Sequence, residues 1–215
     1  MSPMQKRNTW LLALVPPTIV GLAVLVQVAA PGPGWQYWLV RGLALSAYQL
    51  VFLATLSTAN LPALAKMFGR PFIKVHHVAT ISAFVAMVLH PLGYAFVTGS
   101  FDSLVPRAAS VYDFFLWAGR PALVLFLVAV ITGALRLTFK KSWRYFHFAV
   151  YLGFLLATVH ANLIGASFAS LPVRIVSWIF AAVATVVFVR KRLQRRKAAR
   201  PAAPATPGST EPGAV

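Results

Sequence analysis

The chain has 215 residues, with 20 lysines and arginines against three acidic residues and a net charge of +17, yet only 11% of it is charged and 59% is hydrophobic. Long unbroken apolar runs of this kind are a membrane composition, so the basic residues are read by where they fall, and no nucleic-acid partner is expected. The absence of cysteine excludes disulfides, iron–sulfur clusters, thiolate-ligated haem and covalent haem attachment.

A bilayer crossing takes about 20 apolar residues. Six candidate spans follow in order: Thr9–Ala30, Tyr37–Thr58, Val75–Thr98, Pro121–Leu137, Phe146–Ile164 and Pro172–Val189. The first follows Lys6 and Arg7 as a secretory signal would, but it exceeds the apolar core of about 7–15 residues typical of signals and is read as a span. Pro31-Gly-Pro-Gly34 ends the first span and Asn60-Leu-Pro62 the second by turn chemistry. The fourth is the shortest and is allowed an earlier start near Tyr112. Pro121 and Pro172 stand where a first helical turn tolerates proline.

The expected fold is therefore all-α, a six-helix transmembrane bundle. Both termini are placed in the cytoplasm, because that puts Lys6, Arg7, Lys66, Arg70, Lys74, Arg136, Lys140, Lys141, Arg144 and the cluster from Arg190 to Arg200 on one side. Only Arg41, Arg107, Arg120 and Arg174 fall on the other, with Asp102 and Asp113 in the outer loop. The expected division is a membrane domain over 1–190 and a tail over 191–215, basic and then disordered. The expected location is the cell inner membrane, crossed several times.

All five histidines, His76, His77, His90, His147 and His160, lie in or at the edge of the third and fifth spans. Ionisable groups inside a membrane are rare and face the bundle interior for a reason, and neutral imidazole is a ready axial ligand for haem iron. His76 and His90 are 14 residues apart, a rise of about 21 Å with the side chains about 40° out of register. His147 and His160 are 13 apart, about 19.5 Å. With both helices running outward, His76 is level with His147 and His90 with His160, two histidines at each of two depths.

Two six-coordinate haems of b type require such an arrangement. The fifth span fits less well, since 13 residues leave the side chains about 140° apart on an ideal helix; irregularity near Gly153 or approach from different flanks would reconcile it. His76 is preferred to His77, which points about 100° away toward a haem edge or the headgroup boundary. Arg41, Arg120 and Arg174 are candidate partners for haem propionates, although interfacial snorkelling accounts for them equally. Gly93 and Gly153 would admit a macrocycle or serve helix contacts. Among the aromatics, Tyr48, Tyr94, Trp143 and Tyr151 sit near the expected haem levels.

The stretch Trp143-Arg-Tyr-Phe-His147-Phe-Ala-Val-Tyr151, continuing to His160, resembles the Trp-x-x-Leu/Phe-His-x-x-x-Tyr motif and second histidine of the ferric-reductase-like transmembrane family. That family includes the membrane domains of NADPH oxidases and the haem-binding subunit of the bacterial methionine-sulfoxide-reducing system. His76-His-Val through Leu89-His90-Pro91 is similar to the family's first histidine pair, and the resemblance extends from about Phe52 to Phe180. It implies haem iron held by His76, His90, His147 and His160. It also implies a departure from the oxidases, whose flavin- and NADPH-binding domain has no counterpart in the short stretch after the last span.

The expected function is thus a bis-haem b-type cytochrome, a membrane oxidoreductase component. It takes electrons from a cytoplasmic flavoprotein or membrane quinol, so that FMN or a quinone enters through a partner, and passes them to a periplasmic acceptor, a reductase partner or a ferric chelate. The rival reading is a histidine-based metal or proton transporter. Such proteins usually add intramembrane carboxylates, and no span carries one.

Overall fold

A computed structural model describes residues 34–59, 64, 66, 72–105, 109–140 and 142–198. Every regular element among them is helical. Helix α1 is Trp35–Ala59 and α2 is Phe72–Thr98. A 3-10 turn, Phe101–Leu104, leads to α3, Val111–Leu116, and α4, Gly119–Ala134. Then come α5, Arg136–Phe139, α6, Trp143–His147, and α7, Ala149–Ile164. A second 3-10 turn, Ala166–Ala169, precedes α8, Leu171–Ala198.

Four segments among the described residues are long and apolar enough to cross a bilayer: Trp35–Ser57, Lys74–Thr98, Trp143–Ile164 and Leu171–Gln194. This is fewer than the six expected, for two reasons. The span expected over Thr9–Ala30 lies outside the described residues. The one expected over Pro121–Leu137 is α4, whose 16 residues reach only about 24 Å, short of the roughly 30 Å of hydrocarbon. The chain makes up length before it with α3, which starts where Ser110 accepts from the Asp113 N–H at 3.1 Å and donates to its carboxylate at 3.0 Å, a side-chain cap on otherwise orphan donors. Helix α8 runs on past Val189 to Ala198, so the basic run begins on a helix.

The bundle is two helical hairpins and a closing helix. Helix α1 packs most extensively on α2, α7 on α4, and α8 on both α7 and α1. The central core draws on all five long helices through Val51, Phe52, Ala83, Ala122, Phe126, Phe154 and Ala184. Phe52 and Phe180 stack with centroids 3.9 Å apart, and Tyr48 stacks on Phe154 at 4.8 Å. Small residues dominate the buried positions of α2, where Ala83, Ala86 and Ala95 face inward while Val78, Ile81, Val85, Leu89, Leu92 and Phe96 stay exposed. Those six recur every three or four residues, a single apolar stripe suited to lipid tails.

The hairpins are made tight by glycine. A side-chain carbon on Gly153 would meet the Ala122 carbonyl at 3.3 Å and Leu125 and Phe126 at 3.4 Å, and one on Gly93 would meet Val40 at 3.2 Å. Both glycines therefore serve helix–helix contact, which decides against the macrocycle role considered for them.

Candidate functional site

The inward stripe of α2 reads His76, Ala79, Ala83, Ala86, His90, at offsets of 3, 7, 10 and 14 residues that stay within about 80° of one another on the helix. Only alanines separate the two imidazoles. Both rings are turned toward α1. His90 Nδ1 donates to the Val40 carbonyl at 3.0 Å. His76 faces the carbonyl of Ala54, but its buried Nδ1 stops short of hydrogen-bonding geometry. The competitor is visible: Ser57 Oγ donates to that same carbonyl at 2.8 Å.

The second hairpin repeats the device. His147 Nδ1 donates to the Ala129 carbonyl of α4 at 3.0 Å, and His160 Nδ1 donates to the Leu116 carbonyl at 2.7 Å. In each hairpin the carbonyls that the rings face are spaced as the histidines are, 14 residues for Ala54 and Val40 and 13 for Ala129 and Leu116, although Ala54 accepts from Ser57 and not from His76. An antiparallel neighbour at the same rise per residue thus meets each ring at its own depth. A carbonyl oxygen has no proton to give, so the bonded rings carry theirs on Nδ1 and keep the lone pair of Nε2 available.

The rings fall into pairs across the bundle. His76 and His147 lie within electrostatic reach of each other, and so do His90 and His160. The helices that carry them, α2 on one side and α6 with α7 on the other, scarcely touch, each leaning on its own hairpin partner. His77 is exposed, its ring centroid 5.9 Å from that of His76. Trp143 stands edge-on to His147 at 5.4 Å.

The 140° discrepancy of the fifth span has a physical source, located not at Gly153 but at Phe148. The helix is interrupted there, and the Tyr151 N–H bonds the Phe148 carbonyl three residues back at 3.1 Å. A turn wound at three residues per turn advances about 20° more per residue than an α-helix. A few such residues between His147 and His160 bring the two side chains closer in azimuth.

The three arginines considered for propionates hold loops. Arg41 Nε donates to Ser167 Oγ at 3.0 Å, and Arg174 Nε to the Phe168 carbonyl at 3.2 Å, so both fasten the second 3-10 turn. Arg120 donates to the carbonyls of Ser103 and Asp102 at 2.7 and 3.1 Å and lies 4.3 Å over the Trp117 ring. It is also within electrostatic reach of His160. Sequence reasoning did not single out Gly119 or Ser57; a glycine two residues before a proline that opens an apolar helix was the available signal for the first. Tyr48 anchors a polar cluster instead of facing the histidines, its hydroxyl 2.9 Å from Thr158 Oγ1 and donating to the Ser177 carbonyl at 3.1 Å.

Among the described residues no group of three or more His, Cys, Asp or Glu gathers as a metal site. Haem needs only two protein ligands, one on each face, because its ring fills the other positions. Imidazoles in pairs within electrostatic reach, three of them with an oriented Nδ1 proton, on helices that barely touch, fit that demand.

Residues 42–158, more than half the chain, match the model of the ferric reductase like transmembrane component. The chain belongs to that family. No curated protein and no solved structure matched the chain. The ferric reductase like match spans His76, His77, His90 and His147 and stops just short of His160. Membership makes the protein a multi-pass membrane oxidoreductase component, of a family that generally binds haem and typically works with separate redox partners.

Proposed function

We propose that this chain is a bis-haem b-type cytochrome of the cell inner membrane. It would connect a donor on the cytoplasmic side, a flavoprotein or membrane quinol, with an acceptor outside, a reductase partner or a ferric chelate. His76 and His147 would hold the inner haem, and His90 and His160 the outer. The observation that carries this reading is the set of backbone carbonyls that orient His90, His147 and His160, with the four rings in two pairs within electrostatic reach.

When bound, haem supplies one-electron carriage through its ferric and ferrous iron. The protein's part is orientation and exclusion of water. Hydrogen bonds from Nδ1 to the carbonyls of Val40, Ala129 and Leu116 lock ring rotation and raise the basicity of Nε2. The alanine stripe of α2 keeps the interval between ligands narrow and apolar. Arg41, Arg120 and Arg174 bring positive charge to the outer end, where propionates would be neutralised, while exposed His77 lies at the inner boundary.

Purified protein should show a b-type reduced-minus-oxidised absorption spectrum, with two haems per chain by pyridine haemochrome assay. No haem would overturn the proposal, and one per chain would remove one of the two pairs.

A further inference from the structure

We infer that Gly119, at the interruption between α3 and α4, is a positioning residue that seats the ring of His160, and so sets the geometry of the outer ligand. The inference rests on the haem reading above. A side-chain carbon on Gly119 would lie 2.7 Å from Nε2, 2.8 Å from Cδ2 and 3.1 Å from Cε1 of His160. All three are shorter than or near the closest approach that real side-chain carbons make. Because they are so similar, the added carbon would sit over the ring's face rather than in line with the Nε2 lone pair. The glycine thus borders the ring without blocking the atom that would bind iron.

The ring cannot retreat freely. Its Nδ1 donates to the Leu116 carbonyl at 2.7 Å, the shortest of the three histidine–carbonyl bonds. That carbonyl belongs to the last residue of α3, among those a helix end leaves without an intrahelical partner. The four residues from Leu116 to Gly119 therefore supply both halves of the seat, an acceptor at Leu116 and an open face at Gly119. Arg120 then ties the interruption to the outer loop through Ser103 and Asp102. The equivalent neighbour of His147 makes the contrast. A carbon on Gly133 would stand 3.5 Å from Nδ1 and 3.7 Å from Cε1, which is ordinary contact.

The test uses the full chain in detergent with Gly119→Ala, Gly133→Ala, His160→Ala and the double variant Gly119→Ala/His160→Ala. Helix propensity alone would make alanine stabilising at Gly119. The inference instead expects Gly119→Ala to lower the thermal midpoint of haem-free protein when His160 is present and to leave it unchanged or raised in the His160→Ala background. In haem-loaded protein, Gly119→Ala should lose the outer haem or shift its midpoint potential and low-spin spectrum, leaving the inner haem unaltered. Gly133→Ala should leave both haems as they are. Equal effects of Gly119→Ala with and without His160, or an unchanged outer haem in a variant that folds, would overturn the inference. A wild-type chain without haem would instead overturn the functional reading, while the thermal comparison would still decide the contact.

Discussion

Three of the four candidate ligands, His90, His147 and His160, commit Nδ1 to a backbone carbonyl and keep Nε2 for iron, and the two nitrogens can be probed separately. Replacing His90 or His160 by alanine should remove the outer haem and spare the inner, halving the haem per chain. Replacing His147 should do the converse. Ser57 gives a subtler handle, because its hydroxyl occupies the Ala54 carbonyl that His76 faces. Ser57→Ala should free that acceptor for His76 Nδ1. A ligand whose Nδ1 proton is hydrogen-bonded is more basic and stabilises ferric iron, so the inner midpoint potential should fall in a redox titration while the outer stays fixed. Much of this scale was legible beforehand, since the rise of a helix is fixed and the numbers 76, 90, 147 and 160 give depth directly. The carbonyl partners were not legible, because they depend on which helix lies alongside, and the sequence of α2 does not name α1.

At the scale of elements, α1, α7 and α8 are stapled by polar side chains in an apolar setting. Tyr48 bridges Thr158 and Ser177, and Asn162 donates to Ser177 Oγ at 2.9 Å and the Thr158 carbonyl at 2.8 Å. Tyr48→Phe keeps the ring stacked on Phe154 and leaves Thr158 bonded to the Phe154 carbonyl but removes both bonds of the hydroxyl, which should lower stability by about 0.5–1.5 kcal/mol in a detergent thermal melt without changing haem content. Helix existence was readable from apolar run length, and α1, α2 and α8 contain the expected spans. Interruptions were harder. The one at Phe148 carries neither glycine nor proline, so no local residue announces it. The α3–α4 break is followed by Gly119 and Pro121, yet a fourth span allowed to start near Tyr112 runs straight across it. Hydropathy reports where a helix is buried in lipid and is silent about where its winding changes.

For the whole molecule, the expected orientation rests on charge asymmetry, and the lack of cysteine makes it simple to test. Single cysteines at exposed Ala109 and Ser142 should react differently with a membrane-impermeant maleimide applied to intact cells. Ala109→Cys should label at once, and Ser142→Cys only after permeabilisation. The reverse pattern would invert the topology and with it the assignment of inner and outer pairs.

The carbonyls that orient His90, His147 and His160 belong to the same hairpin as the ring each one holds. Biogenesis of such a protein divides naturally into two stages. The hairpins can enter the bilayer and pack through the core they share, and on the haem reading proposed above the tetrapyrroles would then add a second join between them. On that reading a cell short of haem would accumulate an inserted chain lacking that second join, which membrane proteases should clear faster than the loaded one.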